Sequence, residues 1–99
     1  MKITNVEVFM FRKESVNPYG WRPIGCRVHT DEGIYGDGEA ALAYGLGAPG
    51  VYGMIQDFAK SIIGQDPMNI DYIWEKMYKT SFWGQNGGPI EFAAMSAID

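Results

Sequence analysis

Apolar and polar residues alternate at the start of the chain and change to a helical rhythm from Val51 onward. Val6, Val8 and Met10 interleave with Glu7, Phe9 and Phe11, a period of two that predicts a strand over 2–12. β-branched and aromatic side chains suit such a pleated surface. Asn17-Pro18-Tyr19-Gly20 and Pro23 interrupt the pattern, so 13–23 reads as a loop. A second strand over 24–30 sets Ile24, Cys26 and Val28 on one side, with Arg27 and His29 on the other. Asp31-Glu32-Gly33 reads as a tight turn in which Gly33 takes positive φ, and 34–40 as the third strand.

Gly45, Gly47, Pro49 and Gly50 mark 41–50 as a second long loop. Val51, Met54, Ile55, Phe58, Ile62 and Ile63 then recur at helical spacing, with Gly64 as the stop, predicting a helix over 51–63. Asp66-Pro67 is a helix start, since aspartate caps free amides and proline is tolerated in the first turn. Ile70, Ile73, Trp74, Met77 and Tyr78 form the stripe of that helix, 67–80. Pro89 opens a third, 89–99, with Ile90, Ala93, Ala94, Ala97 and Ile98 on one face and Glu91 in the dipole-favoured first turn. The expected fold is therefore α+β: a three-stranded antiparallel β-meander followed by a small helical bundle, in one domain spanning 1–99. Helix three reaches Asp99 without a glycine, a basic last turn or a breaker, which reads as truncation inside a helix.

Composition narrows the functional classes. Eight Lys plus Arg stand against twelve Asp plus Glu, with no basic run. Nucleic-acid binding rests on cations that neutralise phosphates, so that partner is excluded, as is a basic membrane-surface helix. The single cysteine, Cys26, allows no intrachain disulfide. The N-terminus has no apolar signal core, and no stretch approaches the ~20 apolar residues of a membrane span. A cytoplasmic location is the simplest expectation.

Few motifs offer chemistry of their own. Gly45-Leu46-Gly47-Ala48-Pro49-Gly50 fits G-x-G-x-x-G with Asp66 downstream, but Ala41 to Tyr44 separate it from the strand. No second parallel strand follows the helix, as a dinucleotide site requires. His29 lacks partners at metal-ligand spacing and reads as a surface or interface histidine. Cys26 has no activating base and reads as a buried thiol. Asp37 and Glu39 flank Gly38 and point the same way, which suits solvated strand-end carboxylates better than an acid–base pair. Trp74, Tyr72 and Tyr78 sit on helix two, where core packing is the default. Tyr19, Trp21, Tyr44 and Trp83 are different, because they lie in predicted loops. Large aromatics there need a surface to cover, such as a ligand or another domain. Arg22 stands beside Trp21 and could fork onto a carboxylate.

The order of these pieces resembles the start of mandelate racemase and muconate lactonizing enzyme relatives, within the enolase superfamily. The pieces are the hairpin Thr30-Asp31-Glu32-Gly33-Ile34, Gly36-Asp37-Gly38-Glu39-Ala40, the break Gly64-Gln65-Asp66-Pro67 before Ile73-Trp74, and Gly87-Gly88-Pro89 leading to Ala94-Met95-Ser96-Ala97-Ile98-Asp99. The resemblance covers the whole chain. It implies a capping domain over a barrel that is absent here, the barrel holding Mg²⁺ and the bases that abstract a proton next to a carboxylate. No catalytic residue and no metal ligand then falls in this chain, which alone is expected to be inactive. The resemblance implies that two cap loops, here 13–23 and 41–50, close over the substrate. Tyr19, Trp21, Arg22 and Tyr44 are the expected substrate-binding residues. Ala43-Tyr44-Gly45 and Phe82-Trp83-Gly84 look closest to acid-sugar dehydratases, with racemases and cycloisomerases of the superfamily as the alternative. A stand-alone binding module with the same fold is the alternative from another class. The implied partners are the protein's own C-terminal barrel, a small carboxylate or acid sugar, and further copies in a homo-oligomer.

Overall fold

The computed structural model describes residues 1–11, 22–40, 47–81, 85 and 88–99. Strands β1 (Ile3–Met10), β2 (Ile24–Thr30) and β3 (Tyr35–Ala40) form an antiparallel sheet in the order β1-β2-β3. Helices α1 (Ala48–Ile62), α2 (Ile70–Thr80) and α3 (Pro89–Ile98) follow. The fold is α+β, a three-stranded sheet with three helices.

The sheet buries one face. Ile24 and Cys26 are almost fully enclosed, together with Ile3, Val6 and Ala40. Ile3 is out of phase with Val6 in a strict alternation. A register shift between Ile3 and Asn5 resolves this, because the extra residue of a bulge turns both side chains to the core. Between β2 and β3, Gly33 takes φ 76°, and the Thr30 amide and hydroxyl both donate to the Ile34 carbonyl, at 3.2 and 2.6 Å. That bond places Ile34 in the turn, so β3 begins at Tyr35 and not at 34.

Helix α1 begins at Ala48, three residues earlier than the apolar rhythm suggests. Pro49 lies in its first turn, where its missing N–H leaves no bond unmade. Val51, Ile55, Phe58 and Ile62 face the core. Ile63, expected on that stripe, lies past the helix end and is exposed. Gly64 follows with φ 86°, and its amide donates to the Ile3 carbonyl at 2.8 Å. The Ile3 amide donates in turn to the Gln65 carbonyl at 2.8 Å, fastening the end of α1 to the start of β1.

Helix α2 begins at Ile70 rather than at 67. The Asp66 carboxylate accepts the Met68 amide at 2.9 Å and its carbonyl accepts the Asn69 amide at 3.0 Å. This side-chain turn consumes the donors that a helix start would have used. Only Ile73 and Met77 of α2 are buried. Tyr72 and Trp74, expected to pack in the core, are exposed, because so narrow a stripe seats the helix on its edge. Trp74 instead stacks on Tyr78 at 5.4 Å, and Tyr78 on Phe92 of α3 at 6.4 Å.

Helix α3 is the central packing element. Ala93, Ala94, Met95 and Ala97 are buried. Its alanines let the backbone itself approach the sheet: a Cβ built on Gly38 would overlap the Ala97 carbonyl oxygen. The Cys26 thiol donates to the same carbonyl at 3.2 Å. Gly38→Ala is therefore expected to lower stability by about 3 kcal/mol or more, since a backbone atom has no rotamer to escape into. Gly36→Ala, where an added Cβ meets nothing within 4 Å, should stay within about 0.5 kcal/mol. Urea denaturation of both variants reads the difference; equal midpoints would contradict the close approach.

Candidate functional site

The strand register fixes where the long connections leave the sheet. Ile24 pairs with Met10 on one side and with Ala40 on the other. The chain departs after Met10 and Phe11, returns at Arg22 and Pro23, and departs again after Ala40. Both long connections thus spring from one end of the sheet. The Phe11 amide donates to the Pro23 carbonyl at 3.3 Å and closes the root of the first. The roots of α1 and α3 meet as well: the Ile90 side chain lies 3.9 Å from a Cβ built on Gly47 and 4.0 Å from one on Gly50. The Gly47-x-x-Gly50 spacing is the sequence signal for this contact, and it looks like loop composition until the helix is known to start at Ala48.

Of the expected substrate-binding residues, Arg22 is described. Its Nε is buried and, among the described residues, has no hydrogen-bond partner. Tyr19, Trp21 and Tyr44 lie outside the described residues, as does Trp83. In the described part of 41–50, Gly47 is the N-cap of α1 and residues 48–50 are its first turn, not a loop.

The opposite, solvent-facing side of the sheet carries charges that satisfy one another. Arg27 grips Asp37 with two bonds, 2.7 Å from Nε and 3.0 Å from Nη2, and lies 3.9 Å over the Tyr35 ring. His29 Nε2 stands 3.0 Å from Glu7 Oε1. An open groove of about 470 Å³ runs along this face, lined in part by Phe9, Phe11, Pro23, Arg27, Asp37 and Glu39. Its cation is already held, so it offers little to an anionic ligand.

Asp37 and Glu39 do not make an acid–base pair. The Arg27 hydrogen bond, then its charge and that of His29, hold the Asp37 carboxyl below the usual carboxylate range. Burial pushes the Cys26 thiol up to about 11, so no thiolate is available as a nucleophile. Among the described residues no three His, Cys, Asp or Glu side chains group as a metal ion would need. The described residues therefore do not gather a ligand set for magnesium. The sheet is antiparallel throughout, and α1 leads to α2 instead of a parallel strand. The glycine motif accordingly has no dinucleotide-site topology around it. Among the described residues no helix is long and apolar enough to cross a membrane.

The family "Mandelate racemase / muconate lactonizing enzyme, N-terminal domain" matches residues 23–99. A member of the enolase superfamily from Salmonella Typhimurium is similar at 52% identity and TM-score 0.84, over 98% of this chain and 24% of its own. A protein from Zymomonas mobilis ZM4, provisionally named a dehydratase, is similar at 47% identity and TM-score 0.90, over 99% of this chain and 24% of its own. An enolase from Pantoea ananatis with bound D-gluconate and Mg is similar at 30% identity and TM-score 0.78, over 97% and 21%. Other similar structures carry the names isomerase and cycloisomerase. The chain spans about a quarter of the length of the structures it matches.

The Asp37 pair yields a pH expectation. A carboxyl whose folded pKa is lowered adds stability above its unfolded pKa of about 4 and loses it as pH falls through the folded value. In a carbon-detected NMR titration the Asp37 carboxyl should titrate below that of a free aspartate. Arg27→Gln should return it toward the ordinary range. An unchanged midpoint in the variant would remove Arg27 as the cause.

Proposed function

The chain belongs to the mandelate racemase/muconate lactonizing enzyme family through its N-terminal domain, and on that premise we propose that it is the substrate-specificity cap of an acid-sugar dehydratase. In this reading the full-length protein is an enzyme that removes the proton α to a carboxylate. The bases and the magnesium are held outside these residues, by a C-terminal barrel. Two properties of this chain support the assignment of the cap. The observation that carries it is the register of Ile24 with both Met10 and Ala40, which roots two long connections side by side. The second is the sequence of those connections, where Tyr19, Trp21 and Tyr44 offer aromatic surface and glycines allow movement. Loops that close over a substrate use that combination, since closure excludes water and strengthens every polar contact inside. The dehydratase reading is drawn from the name attached to a relative at 47% identity. Magnesium is drawn from the family resemblance and from the Pantoea protein, which carries it with D-gluconate.

In the full-length enzyme, Tyr44→Ala and Trp21→Ala are each expected to lower kcat/KM for the true sugar acid by about 1–3 kcal/mol of transition-state stabilisation. Magnesium affinity should stay unchanged. Wild-type kinetics and an unaltered substrate profile in both variants would remove these loops from the pocket.

Residues 1–99 produced alone are expected to show no sugar-acid turnover and no tight magnesium binding. Calorimetric titration with magnesium chloride tests this, and a micromolar site on the isolated chain would overturn the placement of the metal in the barrel.

A further inference from the structure

We infer that the hairpin end of the sheet's core face is the seat of the residues that follow Asp99 in the full-length protein, which run on from α3 as further helix. The inference rests on the cap reading, in which a C-terminal barrel follows this domain, and it names the surface at which the two are joined. Three cross-strand pairs of β2 and β3 line the core face: Ile24 with Ala40, Cys26 with Gly38 and Val28 with Gly36. Burial fades along this row. Ile24, Ala40 and Cys26 are enclosed, whereas Val28 is half-buried and Gly36 is exposed. The helical cover stops one pair short of the hairpin.

At the uncovered end lies an open groove of about 390 Å³, lined in part by Val28, Ile34, Met68, Ile70 and Ile98. Ile34 is 59% exposed, Met68 70% and Ile70 51%. Single exposed apolar side chains are ordinary on a protein surface, but three that share one groove mark a surface built to be covered. Two charges at its rim, Asp37 and the Met1 amine, are already held by Arg27 and Glu32. The groove therefore asks for an apolar occupant rather than an ion.

The path of α3 selects that occupant. The Ala97 carbonyl lies against Gly38, and Ile98 and Asp99 line the groove together with Gly36. α3 thus heads along β3 from Gly38 toward Gly36. Its bonding is still helical at Asp99, whose amide donates to the Met95 carbonyl at 2.9 Å. Four residues of helix advance about 6 Å, and two residues of strand span about 6.7 Å. The residue four beyond Ala97 therefore comes to Gly36 as Ala97 comes to Gly38. A Cβ on Gly38 would overlap a backbone oxygen, while one on Gly36 meets nothing within 4 Å. The two glycines are successive landing points for one helix, the first taken and the second open. Apolar side chains of the added turn then cover Ile34, Met68 and Ile70. A second copy of the chain is the other candidate occupant, and the experiment separates the two.

Gly36→Ala is tolerated in residues 1–99 by themselves, where the space beside Gly36 is open. The test is made in the full-length protein with two variants, Gly36→Val and Met68→Cys. Beside open space valine suits a strand better than glycine, so the melting temperature would stay level or rise. Against a helix backbone valine has no room, and the melting temperature should fall by about 3 °C or more. The second variant is read without unfolding. Above the wild-type background, the Met68→Cys thiol should react with dithiobis(nitrobenzoate) at least about tenfold more slowly than the same thiol in a short peptide. A level or raised melting temperature for Gly36→Val, or labelling of Met68→Cys at the peptide rate, would overturn the inference. Both measurements are repeated at two protein concentrations. Effects that fade on dilution would overturn the assignment to the chain's own continuation in favour of a second copy. A full-length protein that binds no magnesium would sink the cap reading, while melting and labelling still report whether the groove is covered.

Discussion

The Ala97 carbonyl sits where a side chain of β3 would otherwise be, and the rest of the packing depends on that close approach. Gly38 has no Cβ and yields the space, while Cys26 on the next strand donates its thiol to the same oxygen. The alanine face of α3 makes the approach sterically open, and the approach in turn explains the alanines. Larger side chains would have held the helix off the sheet and left Ile24 and Ala40 partly wet. α1 is then fixed between β1 and α3, through Gly64 and Gln65 at one end and the Ile90 contact with Gly47 and Gly50 at the other. α2, seated by Ile73 and Met77 alone, is the least committed element.

The two sides of the domain divide their electrostatics. On the solvent-facing sheet surface Arg27 holds Asp37 and His29 meets Glu7, so those charges are satisfied within the sheet. At the loop roots Arg22 keeps a buried donor that finds no acceptor among the described residues. A stable fold tolerates such a group where another interaction compensates, and functional sites are where that commonly happens. The fold thus places its unmet need beside its two long connections.

Much of the architecture is legible in the sequence because it rests on periodicity. The period of two in β1 and β2 and the stripe of α1 report burial directly, and the small apolar face of α3 reports close packing. Boundaries are less legible where two local signals compete. Asp66 satisfies the rule for a helix cap and also that for a side-chain turn, and the turn prevails. Pro49 and Gly50 satisfy the rule for a loop, yet proline is equally at home in a helix's first turn. Trp74 satisfies the rule for a core aromatic, but α2 offers the core only a narrow edge. The pairing of Gly38 with Ala97 links residues far apart in sequence, and no local pattern reports it. As for the site, Arg22 could be singled out by residue type, whereas the burial of its Nε is a property of the folded surroundings.

The fastening of Ile3 to Gly64 and Gln65 carries a consequence for biosynthesis. The first strand leaves the ribosome early, but the backbone partners of its opening residue are made some sixty residues later, and the seat at Gly38 waits for Ala97. At synthesis rates of ~5–20 residues per second, that interval is about 3–12 s. During it the apolar side of the meander, with Ile24 and Val6 on it, has no helix to cover it. The core of this domain therefore closes only as α3 arrives, because Ala97 completes the seat at Gly38.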